Sequence, residues 1–367
     1  MKAQCTRDKL KNAVMSLERV AVKNPSLPIL QSILIETKDN SLVLKATNLD
    51  VGLEIKIPAK VERHGSVALP GGLFGSFLSG LSNDETIKLD IINNNLSIST
   101  KMNSTVIKSY MVEDFPIIPK IEGDSQFSLE AEKLVYGIKS VGYSASLSDM
   151  KPEISSIYLY SDQDELIFVS TDSFRLAEKK FNVKHPSDNP VSLILPYKNA
   201  IEITRVFEGS TDILDIYFNK NQIFIVSPTV YFTSRVVSGT FPDYKQILPK
   251  DKKSEAIVLK RDLIDSIKIS NIFSDKFNQI SLKIVPSDKL FEISSKNQDR
   301  GESSTRLLGT IEGEDVSVNL NAKYLLDCIS YIEGDSVYMI FNGNNKPIII
   351  RGVGDKSFLY LVMPMNN

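Results

Sequence analysis

One pattern written three times constrains this chain more than any other feature. From Val191 to Val226 an apolar run ends in Leu195-Pro196, a helical pattern follows, and two alternating runs are joined by Asn219-Lys220-Asn221. The stretches Val67–Ser99 and Val316–Ile350 share that plan. Leu69, Leu195 and Leu320 precede the helix start in the three copies, 126 and 125 residues apart. Such a period is too long for a solenoid and about right for a whole small domain. Three copies of one domain are therefore expected, at residues 1–121, 122–253 and 254–367.

The first half of each copy repeats as well. An amphipathic helix is predicted over Asp8–Val22, Glu130–Ala145 and Arg261–Phe273. Leu10, Val14, Leu17 and Ala21 share one face, as do Leu134, Ile138, Val141 and Ala145, and more loosely Leu263, Ile267 and Ser270. Thr6 and Asp8 offer N-terminal capping chemistry in the first copy. Strand-like segments begin at Leu42, Leu166 and Leu290, 124 residues apart each time, which makes Thr47, Thr171 and Ser295 equivalent. Phe115-Pro116, Phe241-Pro242 and Met363-Pro364 close the copies. Alternation such as Leu214, Ile216 and Phe218 against Asp215 and Tyr217 marks strands. Each copy reads as an α+β domain, two helices covering one face of an antiparallel sheet.

A hydrophobic content of 42% and a charged content of 24% suit a soluble globular chain. The formal net charge of −2 argues against holding nucleic acid by bulk electrostatics, although charge can be segregated onto one face. The N-terminus carries charges where a signal peptide needs an apolar core, and no apolar run reaches membrane-span length, so a cytoplasmic protein is expected. Cys5 and Cys328 match neither a disulfide framework nor a zinc pattern and read as small buried side chains.

Catalytic patterns are scarce. His64 and His185 sit in turn-like contexts, and phosphate-loop, nucleophile-elbow and metalloprotease motifs are missing. The acidic pairs Asp84-Glu85 and Asp162, Asp164, Glu165 read as solvated turns, with a carboxylate-dependent hydrolase as the competing reading. No metal or cofactor is expected, and a repeat-built adaptor that ignores nucleic acid is a third reading. Met15, Lys139 and Lys268 fall on the solvent side of the first helices. The outward stripe of the second helices carries Gly72, Ser76 and Ser79, then Lys198, Glu202 and Arg205, then Lys323, Asp327 and Ser330. This pattern fits either a mixed-charge surface or a basic track for phosphates.

Four segments together resemble the bacterial β sliding clamp family, the processivity subunits of DNA polymerase III. They are Asn24–Leu30 (NPSLPIL), Ser170–Ala177 (STDSFRLA), Gly239–Lys250 (GTFPDYKQILPK) and Leu361–Met365 (LVMPM). The resemblance covers the whole chain, including the threefold repeat. It implies a non-enzymatic homodimer closing head to tail into a ring of six domains, sheets outside and helices around duplex DNA. Lys23, Lys139, Lys151, Lys198, Arg205, Lys268 and Lys323 become candidate phosphate contacts. It also implies a groove between the second and third domains for short linear motifs of the polymerase catalytic subunit, the clamp loader, other polymerases and repair proteins. That groove would use Ile154, Thr171, Ser173, Phe174, Arg175, Leu176, Pro242, Ile247, Asn321, Tyr324, Pro347, Leu361, Val362, Met363, Pro364 and Met365. Phe174 stands where the family often has histidine, and Gln246 where a basic residue is common. For the dimer, the segment Thr105–Met111 would pair with Gln298–Leu307, helped by Ile272 and Phe273, with Lys108 and Lys101 opposite Asp299 and Glu302. Thr105 lies where the family often has an aromatic contact.

Overall fold

A computed structural model describes residues 1–22, 24–81, 86–121, 126–148, 150–183, 190–249 and 251–365. Two helices mark each copy: α1 (Arg7–Val20) and α2 (Gly71–Gly80), α3 (Ala131–Gly142) and α4 (Tyr197–Phe207), α5 (Lys260–Ile272) and α6 (Ala322–Ile329). The predicted apolar faces are the buried ones. Leu10, Val14 and Leu17 are inaccessible to solvent, and Leu134, Ile138, Val141, Leu263, Ile267 and Ser270 are buried. Thr6 stands at the α1 N-cap, but its side chain makes no cap hydrogen bond. It is still the last residue of a strand, paired with Thr86, and strand geometry rather than capping sets its backbone.

The antiparallel strands of each copy are divided between two sheets, and neighbouring copies share a sheet. Residues 1–135 with 201–236 form one compact unit, and 136–183, 190–200 and 237–365 form a second. The first unit holds a five-stranded sheet in the order Lys60–Arg63, Lys2–Thr6, Thr86–Ile92, Asn95–Ser99, Ser104–Ile107. It also holds an eight-stranded sheet in which Val51–Pro58 of the first copy pairs antiparallel with Val230–Arg235 of the second. The second unit has a nine-stranded sheet, joined where Arg175–Asn182 of the second copy pairs with Phe358–Val362 of the third. Its other sheet has four strands in the order Gly301–Leu307, Leu290–Asn297, Gln279–Val285, Val316–Asn321. An exposed edge is a liability, and joining neighbouring copies through their edges removes it at the join within each unit. Leu53 opposite Phe232 and Ala177 opposite Tyr360 put fully buried side chains at the two joins.

The ladders also correct one equivalence. Ser170 donates to the carbonyl of Val141 on the helical segment of its copy, and Ser295 donates to that of Ser270 on α5. Ser295 therefore matches Ser170 rather than Thr171. The turn at Pro286–Asp288 is longer than its counterpart between Asp162 and Glu165, which moves the following strand by one place relative to a fixed 124-residue spacing. Thr47 and Thr171 remain equivalent: each hydroxyl donates to a carbonyl four residues on, Val51 at 2.8 Å and Arg175 at 2.7 Å.

Candidate functional site

Where strands of the second and third copies meet, within the second unit, the surface opens into a groove of about 690 Å³. Leu176 and Leu361 face each other across the ladder and form its floor, both buried. They belong to a core cluster with Tyr160, Ile167, Val169, Ile194, Phe241 and Tyr244, so the floor is fixed from beneath. Met363, Ile247 and Pro347 line it more openly, with Thr171, Ser173 and the stem of Arg175 along one wall. The lining also takes in Gln246, Leu248, Pro249, Asp251, Lys253, Asn342 and Lys346. Of these, the sequence had marked only Gln246 as belonging here, because Leu248–Lys253 reads as a linker.

The wall is a tight turn held by one carboxylate. Asp172 Oδ1 accepts from the backbone amides of Phe174 and Arg175, and Oδ2 accepts from Arg175 Nε at 3.0 Å. Ser173 adopts a left-handed φ of 77°, uncommon for a residue with a Cβ, which this over-determined turn sustains. Phe174 is thrust outward, 62% exposed, while its carbonyl accepts from the Met363 amide at 2.8 Å and pins the C-terminal segment to the wall. Met365 is held in turn by its amide bond to the Asn319 carbonyl.

Arg175 faces inward. Its guanidinium donates to Asp327 at 2.6 Å and to the Tyr143 carbonyl at 2.6 Å, and lies 4.2 Å over the Tyr324 ring. Burial opposes the charge, but hydrogen bonding to the Asp327 and Asp172 carboxylates more than offsets it and holds the pKa above the usual arginine value. The expected groove residue Tyr324 is thus a platform under Arg175, and Asn321 caps α6 by accepting from the Lys323 and Tyr324 amides. Asp172, Asp327 and Tyr143 were not foreseen as supports; the only sequence signal was Asp327 at helical spacing from Lys323. Ile154 is half-buried and its carbonyl accepts from Ser146, Pro242 is exposed, Val362 is buried on the other face of its strand, and Pro364 is half-buried.

Among the basic candidates, Lys151, Lys198, Arg205, Lys268 and Lys323 are exposed and Lys139 is half-buried. Arg205 forms an ion pair with Glu202 one turn away. Lys23 lies outside the described residues. Of the edge candidates, Lys101 and Lys108 are exposed and Thr105 is half-buried in the first unit; Ile272, Asp299 and Glu302 are exposed and Phe273 half-buried in the second. Glu302 pairs with Lys296 across its own hairpin at 3.3 Å.

The features weighed against a binding role have ordinary partners. Asp162 pairs with Lys245 at 3.0 Å and Glu165 with Lys180 at 3.5 Å. Among the described residues no cluster of His, Cys, Asp and Glu could hold a metal ion, and no helix is long and apolar enough to cross a membrane. Asp84, Glu85 and His185 lie outside the described residues, His64 is exposed, and both cysteines are buried.

Three family domains match the chain end to end. Residues 1–119 match the N-terminal domain of the DNA polymerase III beta subunit, 128–243 its central domain and 245–366 its C-terminal domain. The beta sliding clamp of Bacillus subtilis is 24% identical over all of this chain and 99% of its own length. That of Staphylococcus epidermidis is 26% identical over 98% of this chain and 97% of its own. Among solved structures, the Bacillus subtilis DNA polymerase sliding clamp superposes with a TM-score of 0.95 at 24% identity, covering 100% of this chain and 99% of its own. A Pseudomonas aeruginosa sliding clamp bound to griselimycin also gives 0.95, at 23% identity and full coverage of both chains.

Proposed function

This chain belongs to the DNA polymerase III beta subunit family, and from that premise we infer that it works as a sliding clamp: a non-catalytic ring around duplex DNA that holds the replicative polymerase in place and docks replication and repair proteins. The domain limits fall near residues 122 and 253, and the cytoplasm is its compartment.

The observation that carries the ring is the pattern of sheet edges. The nine-stranded sheet is five strands of the third copy joined to four of the second. The five-stranded sheet of the first copy and the four-stranded sheet of the third are those same two halves, left apart at the ends of the chain. A second copy of the chain supplies the missing half to each, which gives a head-to-tail homodimer. Encirclement retains DNA without high affinity, so a net charge of −2 is compatible with a lining that carries Lys139, Lys151, Lys198, Arg205, Lys268 and Lys323.

The groove floored by Leu176 and Leu361 suits one or two apolar anchors of an extended partner peptide. Each buried anchor contributes about 1.5–3 kcal/mol, so two anchors with backbone hydrogen bonds approach the ~8 kcal/mol of a micromolar complex. Deleting Met363–Asn367 and measuring the binding of a fluorescent peptide with Leu and Phe anchors tests this. Binding is lost while the circular-dichroism spectrum is kept; unchanged affinity would reject the groove.

A further inference from the structure

One side chain at the groove has no partner of its own. Asn342 follows the strand Ser336–Phe341 and lines the groove together with Pro347 and Met363. Strand alternation sets its place. Ile340 lies opposite Ile349, and Ile349 opposite Leu361, so all three share the face of Leu176. Asn342, two residues beyond Ile340, falls on that same face at the end of its strand. Its Oδ1 and its Nδ2 are both shut off from solvent, and neither has a hydrogen-bond partner among the described residues. The other polar side chains of the lining that turn inward are committed: Thr171 donates to the Arg175 carbonyl, and Arg175 to Asp172, Asp327 and Tyr143. Nor does Asn342 serve the adjoining turn, which is held by Asn344 accepting from the Ser317 amide at 3.1 Å. A buried donor and a buried acceptor left unmet on one residue destabilise the free chain, and such a group calls for a use.

Resting on the peptide-groove reading above, we propose that Asn342 binds the main chain of the docked peptide, its Nδ2 donating to a backbone carbonyl and its Oδ1 accepting from the N–H of the same peptide residue. An extended peptide whose side chains enter an apolar groove also buries the amides between them, and these need partners as the protein's own do. The floor offers none to spare. Leu176 and Leu361 sit in ladders on both sides, and Pro347 and Pro249 carry no N–H. In an extended chain the N–H and C=O of one residue point to the same side, so a single primary amide meets both, as a neighbouring strand would. Asn342 is half-buried and borders the groove, so rotation about its side-chain bonds carries the amide to the peptide. The contact requires a free N–H, which excludes proline at the peptide position opposite Asn342. The apolar floor takes the anchors and Asn342 fixes the register in which they enter.

A cycle of variants in both chain and peptide tests this. The probe is the fluorescent peptide with Leu and Phe anchors, made as a series in which each backbone amide in turn is replaced by an ester, so that one N–H is lost at a time. On the wild-type chain one ester position should weaken binding about five- to tenfold, and on Asn342→Leu and Asn342→Ala the same position should cost less than about twofold. The unmodified peptide should bind both variants about tenfold more weakly than the wild type. A merely structural residue would instead weaken the whole series alike. The free chain gives the second readout: with the amide unpaired, Asn342→Leu should unfold at a urea midpoint equal to or above that of the wild type. Equal ester penalties on wild type and variants, wild-type affinity in both variants, or a lowered midpoint for Asn342→Leu overturns the role of Asn342 while leaving the groove standing. A wild-type chain that does not bind the parent peptide overturns the groove itself.

Discussion

Replacing Asp327 with asparagine should weaken peptide docking although Asp327 does not line the groove. Its carboxylate receives the Arg175 guanidinium at 2.6 Å, and Arg175 in turn shapes the wall that carries Ser173 and Phe174. A hydrogen bond to a charged group contributes about 1.5–3 kcal/mol when well buried. Here the Arg175 side chain is 12% exposed but that of Asp327 is 42%, so solvent screening brings the figure to about 1 kcal/mol. The guanidinium keeps Asp172, the Tyr143 carbonyl and the Tyr324 ring, so the fold survives. Loss of the outer tether lets the wall sample other positions, and coupling of this kind changes affinity by about three- to tenfold. The chain has no tryptophan, so a Phe174→Trp background reports wall motion by fluorescence anisotropy, beside peptide affinity measured with the natural wall. Arg175→Met in the Asp327→Asn background should add less than it costs alone, because the two residues act as one unit. An Asp327→Asn chain with wild-type affinity and unchanged wall anisotropy would refute the reasoning.

Two further outcomes follow from buried polar groups in the second unit. Lys179, 2% exposed, is held by Glu333 at 3.1 Å and Ser357 at 2.8 Å beside the rings of Tyr136 and Phe181. Glu333→Gln strands a buried ammonium and should cost about 1–2 kcal/mol in urea unfolding, whereas Lys179→Met should stay within about 1 kcal/mol of wild type; the reverse order would contradict this. Burial raises the phenol pKa of Tyr136, Tyr143, Tyr160, Tyr197, Tyr244, Tyr324, Tyr331 and Tyr360, and in the first unit that of Tyr231 to about 12. With folded values above the unfolded value near ~10, their contribution to stability is complete below that pH and is lost as pH rises through the folded values. The urea midpoint should therefore fall above pH ~10 as absorbance at ~295 nm rises late; phenols that all titrate near ~10 in the folded chain would contradict it.

The helices and their faces were legible because their signals are local: Leu10, Val14 and Leu17 repeat at helical spacing and are buried. The three copies were legible because Leu69, Leu195 and Leu320 keep nearly constant spacing. Which strands join was not, since Val51–Pro58 finds its partner near residue 232, and nothing in a strand's own alternation names a partner that distant. The slip at Ser295 has a similar origin: a longer turn shifts a ladder by one residue while the alternation still looks regular. At the groove, the apolar residues Leu176, Ile247, Leu361 and Met363 stood out in the matched segments. The polar supports did not, because Asp172, Tyr143 and Asp327 reach Arg175 from three separate elements.

Closure of two chains around DNA is read directly by one experiment: the mass in solution measured together with retention on circular and on short linear duplex. A ring predicts the mass of two chains, retention on the circle at moderate salt and rapid loss from the free ends of the linear duplex. A single-chain mass, or equal loss from both substrates, would contradict it.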